Sequence, residues 1–185
     1  MSVIYSLADV TECSIGEGTT AWQFVVILKG AKIAQNCNIC AQTFIEGNAI
    51  VGDRVTVKTG VQLWDGTRIE DDVLIGPNVS LTNEPYPHSQ EYPEQFSGVI
   101  FKRNRSIGAN AKLLPEITIG ESTMIGAGAV VTKNVPAGAV VAGHPPQILR
   151  YVGTHSGDAK AQSMTNISQD TTRLIEPLYA TRLAA

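Results

Sequence analysis

The sequence predicts an all-β chain whose six-residue repeats stack into a parallel β-helix, and three observations predict it. First, stepping by six from Ile15 meets Ala21, Ile27, Ile33, Ile39, Ile45, Val51, Val57, Leu63, Ile69, Ile75 and Leu81, so eleven of twelve positions are Ile, Leu or Val. Second, stepping by six from Thr19 to Val79 meets only small or β-branched residues and no charge. Third, the 185 residues include 17 glycines. Many of these directly follow the large aliphatic residue, as Gly16, Gly52 and Gly76 do, which marks frequent tight turns.

The first run, to Leu81, reads as short flat strands alternating with turns. The large aliphatic points inward from the strand and the small residue points inward near the corner. A single unit cannot bury its apolar face alone, so units must stack. The glycine after the aliphatic is expected to relieve tight backbone geometry. The run then breaks within TNEPYPHSQEYPEQFSGVIF. Pro85, Pro87 and Pro93 cannot sit in a central strand, so residues 82–100 are expected to project as a loop. Its aromatic residues argue for order, and long loops on rigid repeats often carry function. The period resumes at Ile107, Leu113, Ile119, Ile125 and Val131, with Ala111, Ile117, Thr123, Ala129 and Val135 as its small column. Leu81 and Ile107 lie 26 positions apart, which reads as a coil plus eight residues. Residues 1–152 therefore form the β-helix domain, and 153–185 read as a polar linker and C-terminal tail.

The net charge of −3 leaves no basic footprint for nucleic acid. No apolar run is long enough to span a bilayer, and MSVIYSLADVTE lacks a basic-then-apolar leader, so a soluble, cytoplasmic protein is expected. Three cysteines are too few for a disulfide framework. Cys37 and Cys40 spell C-x-x-C, but the register places them on opposite sides of the wall, so no metal or redox site is expected there.

The segments WDG at 64–66, EDDV at 70–73, IGPN at 75–78 and TN-x-x-x-P at 82–87 closely resemble the nucleotide-sugar N-acyltransferases built from hexapeptide repeats. The similarity is to those acting on dTDP-linked 3-amino-3,6-dideoxyhexoses. IGAGAVVTKNVP at 125–136 is similar to the family's coenzyme A segment. AGHPP at 142–146 resembles its closing turn, with Pro146 where Ala is more usual. The resemblance implies a left-handed helix of triangular eighteen-residue coils. It also implies acetyl-CoA as co-substrate, no metal, a nucleotide-linked amino sugar as acceptor, and a homotrimer with sites between subunits. The activity implied is N-acetyl transfer by direct amine attack on the thioester, in a pathway of glycan or lipopolysaccharide biosynthesis.

With an eighteen-residue coil, Leu28, Glu46, Trp64 and Thr82 align in one outward ladder, Lys29, Gly47, Asp65 and Asn83 in the next, and Trp22, Cys40, Lys58 and Gly76 on another face. Asn83 matches the family's loop-edge asparagine, and its amide both donates and accepts. Asp65 is expected one coil below it, so the pair are the catalytic candidates, holding the sugar and its amine. Asn83 also fits a turn cap. His88 is a second base candidate, at a position where many relatives carry Arg. Trp22, Glu46, Lys58, Trp64 and Tyr86 are the substrate-binding candidates, aromatic faces suiting a base and Lys58 a diphosphate. Gly108, Gly126, Ala127, Gly128, Lys133 and Pro145 are the coenzyme A candidates, the bare positions admitting a pantetheine arm and Lys133 meeting a phosphate. Three other readings stand beside this one. They are an O-acetyltransferase using His88 as general base, a zinc enzyme on the same prism, and a non-catalytic trimeric scaffold. Trp22, Phe24, Leu28 and Phe44 suit a subunit interface under any of them.

Overall fold

The computed structural model describes residues 1–152; the linker and tail expected at 153–185 lie outside the described residues. Two-residue strands recur every six positions, as at Thr20–Ala21, Val26–Ile27, Lys32–Ile33 and Asn38–Ile39. They pair in parallel with the strand one coil away, Thr56 opposite both Asn38 and Leu74. Three faces result. One is a nine-stranded sheet, one a six-stranded sheet, and the third comprises a four-stranded and a three-stranded sheet in succession. This is the all-β parallel β-helix that the period predicts.

Both inward columns form one core. Ile27, Ile39, Ile45, Leu63 and Ile75 are fully buried, and so are Val25, Ala31, Val55 and Val61. At Thr19, Thr43 and Thr123 of the small column the hydroxyl donates to a nearby carbonyl, as Thr43 Oγ1 does to Cys40 O at 2.7 Å. A buried hydroxyl is thereby satisfied. Cys37 is buried in the same column, its Sγ 3.0 Å from Gly52 O, and burial pushes its thiol up. Cys40 is only half-buried.

The turns show where glycine is needed and why. The left-handed backbone falls not after the aliphatic residue but three positions before it, at Asn36, Asn78 and Asn110 among others, with φ of 55°, 55° and 58°. Asparagine tolerates that conformation. Glycine after the aliphatic answers a different demand, the close approach of the next coil. A Cβ on Gly108 would lie 2.4 Å from Ala127 N.

The break is longer than the spacing suggests. Leu81 pairs with Leu113, Ile75 with Ile107 and Ile69 with Phe101, each 32 positions apart, so the insertion amounts to 14 residues rather than eight. The repeat resumes one unit before Ile107. Val99 occupies the small column and Phe101 the large one, both fully buried. Arg105 then stands opposite Val73 in the small column and is only 3% exposed. Its Nη1 donates to Ile119 O and its Nε to Arg103 O at 3.5 Å. Desolvation lowers its pKa to about 10, so the guanidinium stays charged at neutral pH. An arginine in an apolar column is what hides the resumption from a hydrophobic count.

The re-entry is anchored across the insertion. Glu70 Oε1 meets Lys102 Nζ at 2.7 Å, and Oε2 accepts Arg103 N–H at 3.0 Å. The Lys102 ammonium, above all, holds the Glu70 carboxyl below its ordinary value. A depressed carboxyl contributes stability above its unfolded pKa and loses it as pH falls through the folded value. Glu70→Gln should therefore lower stability at pH 7 by at most about 1 kcal/mol, the pair being solvent-screened, and the difference should shrink as the pH falls below the ordinary glutamate value of about 4.3. Urea titrations of both proteins across that range measure it.

At the far end the hairpin of Ala139–Ala142 and Gln147–Tyr151 adds the one antiparallel pairing among the described strands and closes that edge of the stack. No helix of the described residues is long and apolar enough to cross a membrane.

Candidate functional site

The face built of the four- and three-stranded sheets carries the site, because both of its edges hold the residues singled out above. Trp22, Lys58, Gly108 and Gly126 each follow a strand of the nine-stranded sheet and so share one edge ladder, Val57, Ile75, Ile107 and Ile125 being successive partners. Glu46, Trp64, Thr82 and Thr132 each follow a strand of the site face and share the other.

The loop springs from the second edge. A cavity of about 520 Å³ opens where it leaves the stack, lined by Glu46, Trp64, Thr82, Asn83, Tyr92 and Phe96 among others. The Trp64 indole is fixed at its base. Its Nε1 donates to Leu81 O at 2.9 Å, and its ring tilts against Phe44 with centroids 5.7 Å apart. Asn83 is half-buried, and its carbonyl accepts Ser97 N–H at 3.1 Å, which ties the outgoing limb of the loop to the returning one. The returning limb rests on the turn after Trp64. A Cβ on Gly98 would come within 2.1 Å of Gly66 C and 2.3 Å of Thr67 N. The glycine of the WDG segment and Gly98 thus permit two backbones to touch.

The structure brings Glu46, Trp64 and Asn83 into one cavity but does not bring Asp65 there. The Asp65 carboxylate reaches down the stack, Oδ1 accepting Asn48 N–H at 2.7 Å. Glu46 lines the cavity instead, together with Glu84 at the base of the loop. Glu46 Oε2 accepts Asp65 N–H at 2.6 Å, and burial, followed by the charge of Asp65, raises the Glu46 pKa. Eighteen-residue spacing shows that Glu46 and Asp65 are neighbours of Asn83; it does not show which turn N–H each carboxylate will take.

His88 lines a different cavity, of about 340 Å³, with Tyr86, Glu91 and Tyr92 near the loop tip, where its backbone bridges to Glu91. Tyr86 is 86% exposed. Trp22 lies toward the opposite end of its ladder, stacked on Tyr5 at 4.8 Å with Nε1 bonded to Asn38 Oδ1. Lys58 is half-buried and in no ion pair among the described residues.

A third cavity, of about 310 Å³, lies between the last repeat and the closing hairpin, lined by Thr132, Lys133, Asn134, Pro136, Pro145 and Ile148 among others. It gathers Lys133 and Pro145. Gly108 and Ala127 pack one upon the other by coil stacking, while Ala127 and Gly128 are exposed at the corner beside the site face, a Cβ on Gly128 meeting nothing within 4 Å. Thr82, Phe96 and Tyr92 were not singled out from sequence. Phe96 and Tyr92 depend on the path of the loop, which has no period, whereas Thr82 stood in the Trp64 ladder.

No protein-family model matches the chain. Among curated proteins it is 46% identical over 149 residues, 80% of this chain and 78% of the other, to the dTDP-3-amino-3,6-dideoxy-α-D-galactopyranose 3-N-acetyltransferase of Aneurinibacillus thermoaerophilus. It is 33% identical over 121 residues to the galactoside O-acetyltransferase of Escherichia coli, covering 63% of this chain and 55% of that protein. A hexapeptide-repeat-containing acetyltransferase of Vibrio cholerae, solved with acetyl coenzyme A, shares the fold with a TM-score of 0.56 at 24% identity, over 67% of this chain and 70% of that one.

Proposed function

The chain belongs to the hexapeptide-repeat acetyltransferases, and from that premise we propose that it moves an acetyl group from acetyl-CoA to the amine of a nucleotide-linked, dTDP-type 3-amino-dideoxy sugar. The observation that carries the reading is the loop-built cavity on the site face, where Glu46, Trp64 and Asn83 converge, in a chain 46% identical to an enzyme named for that sugar class.

Acetyl-CoA enters along the same face. Val131 stands two coils from Leu81 through Leu113, roughly 10 Å along the stack. A donor whose phosphates meet Lys133 can therefore run an extended arm along this edge toward Asn83, while Gly108, Gly126, Ala127 and Gly128 leave the facing edge bare for a donor held against a neighbouring subunit. Trp64 offers a ring face to the sugar, and the loop aromatics Tyr92 and Phe96 border it, with Tyr86 assigned to the substrate from the adjoining cavity. Trp22 and Lys58, on the other edge, are assigned to the nucleotide of an acceptor bound between subunits of a homotrimer. The two exposed edges of one face meeting a neighbour's surface would complete such a site.

The amine attacks the thioester carbon and the thiolate leaves. Alignment of the two reactants supplies much of the barrier reduction, and the Asn83 amide is placed to donate to the carbonyl oxygen as it gains charge. His88 lines not the Asn83 cavity but an adjoining one that shares Glu84 and Tyr92 with it, which supports this reading over an O-acetyltransferase that uses it as base. The test is free-thiol release from acetyl-CoA with a panel of nucleotide-linked 3-amino and 4-amino sugars and hydroxyl acceptors. Fast release that requires a 3-amino sugar is expected. Release with hydroxyl acceptors alone, or with none, overturns the proposal.

A further inference from the structure

We propose that Glu46 is the group that removes a proton from the acceptor's ammonium, and that the same carboxylate makes the site select an amine over a hydroxyl. The inference rests on the amino-sugar reading above and deepens it.

Geometry carries the argument. Glu46 lines the same cavity as Asn83 and Trp64. Its Oε2 is held by Asp65 N–H at 2.6 Å, while Oε1 makes no hydrogen bond to any described residue. Asp65, the carboxylate next in the stack, is committed elsewhere, its Oδ1 accepting Asn48 N–H. One oxygen is thus a fixed anchor and the other is free toward a ligand. The charges around it favour a cation. Glu84 is the other ionic group lining the cavity, no Lys or Arg lines it, and Lys29 on the coil below is paired with Glu12 at 2.6 Å. Tyr92, on the loop, is the remaining titratable group there. Burial raises the affinity of Glu46 for a proton, and the Asp65 charge adds to it. Raising the pKa of a carboxylate moves it toward the range that suits proton transfer near neutrality.

The step balances. A protonated amine and the Glu46 carboxylate exchange one proton, leaving a neutral amine and a carboxylic acid. The amine nitrogen bonds to the thioester carbon and the C–S bond breaks. The second proton on nitrogen passes to the thiolate, giving coenzyme A thiol, and Glu46 returns its proton to water. A hydroxyl brings no positive charge to offset a half-buried carboxylate and so gains a hydrogen bond from it but no ion pair.

The experiment is kcat/KM for the amino sugar against pH, for the wild type, Glu46→Gln and Glu46→Asp. The wild type should lose activity toward acid as Glu46 becomes protonated. Glu46→Gln should fall about 10-fold at pH 7, where an amine of ordinary pKa is only about one-tenth neutral, and regain most of that by about pH 9, where the amine is already neutral, with KM for acetyl-CoA unchanged. Glu46→Asp should keep the acid limb at reduced rate. A loss in Glu46→Gln that is the same at every pH overturns the proposal and leaves the amino-sugar reading standing. A wild type that acetylates hydroxyls and no amine overturns both.

Discussion

Asn83→Ala is expected to cut kcat for the amino sugar by about 10² to 10³, the cost of removing an aimed donor from a developing oxyanion, while KM for acetyl-CoA changes little. Asn83 is placed for this by two constraints. It follows the last strand before the loop, Ser80–Leu81, and its carbonyl is bound by Ser97 N–H, so the backbone is held from both limbs while the side chain stays free. Steady-state kinetics with both substrates varied separates the outcomes. Unchanged turnover would reduce Asn83 to a turn residue. His88→Ala is the companion measurement, expected to retain near-full activity because that imidazole lines the adjoining cavity at the loop tip and not the one that holds Asn83. Loss of turnover there, with Asn83→Ala active, would point to the histidine mechanism instead.

Gly98→Val should be nearly as damaging, through position rather than chemistry. The added Cβ would fall 2.1 Å from Gly66 C and 2.3 Å from Gly66 O, and backbone atoms of a paired coil cannot move aside as a side-chain tip can. Overpacking of this kind costs on the order of 1–3 kcal/mol. The strain falls on the contact between the returning limb and the turn after Trp64, so Phe96 and Tyr92 shift relative to Asn83. Misplacement by about 1 Å can cost about 10²-fold in rate. The variant should still melt cooperatively, since the two inward columns are untouched, but with a lower Tm and a kcat/KM for the acceptor reduced about 10²-fold. A lower Tm with unaltered kinetics would show that the loop is not positioned by this contact.

The two glycine sites show how function and fold are tied here. Gly66 belongs to the segment that resembles amino-sugar acyltransferases, yet its stereochemical task is to admit Gly98. Trp64, two residues earlier, both covers the core and floors the cavity. The loop is thus held against the same turn that presents the aromatic platform.

What the sequence determined by itself was the architecture: the inward columns, the direction of stacking into coils and the departure of the chain after Leu81. Burial acts at every sixth position, so each repeat states the constraint again and the pattern survives isolated exceptions such as Ala21. The ladder argument likewise foresaw Glu46 beneath Trp64, since coil spacing alone makes them neighbours. The tertiary structure decided what has no period. The insertion proved to be 14 residues, and the apolar count places the resumption one unit late because Arg105, in an inward column, interrupts it just after Val99 and Phe101. Glu46 rather than Asp65 entered the Asn83 cavity because the N–H groups of adjacent turns compete for the two carboxylates, and Asn48 captured Asp65. The partition of His88 and Asn83 between adjoining cavities followed from the path of the loop. A proline-rich segment fixes that path by contacts with distant backbone, and no local spacing encodes it.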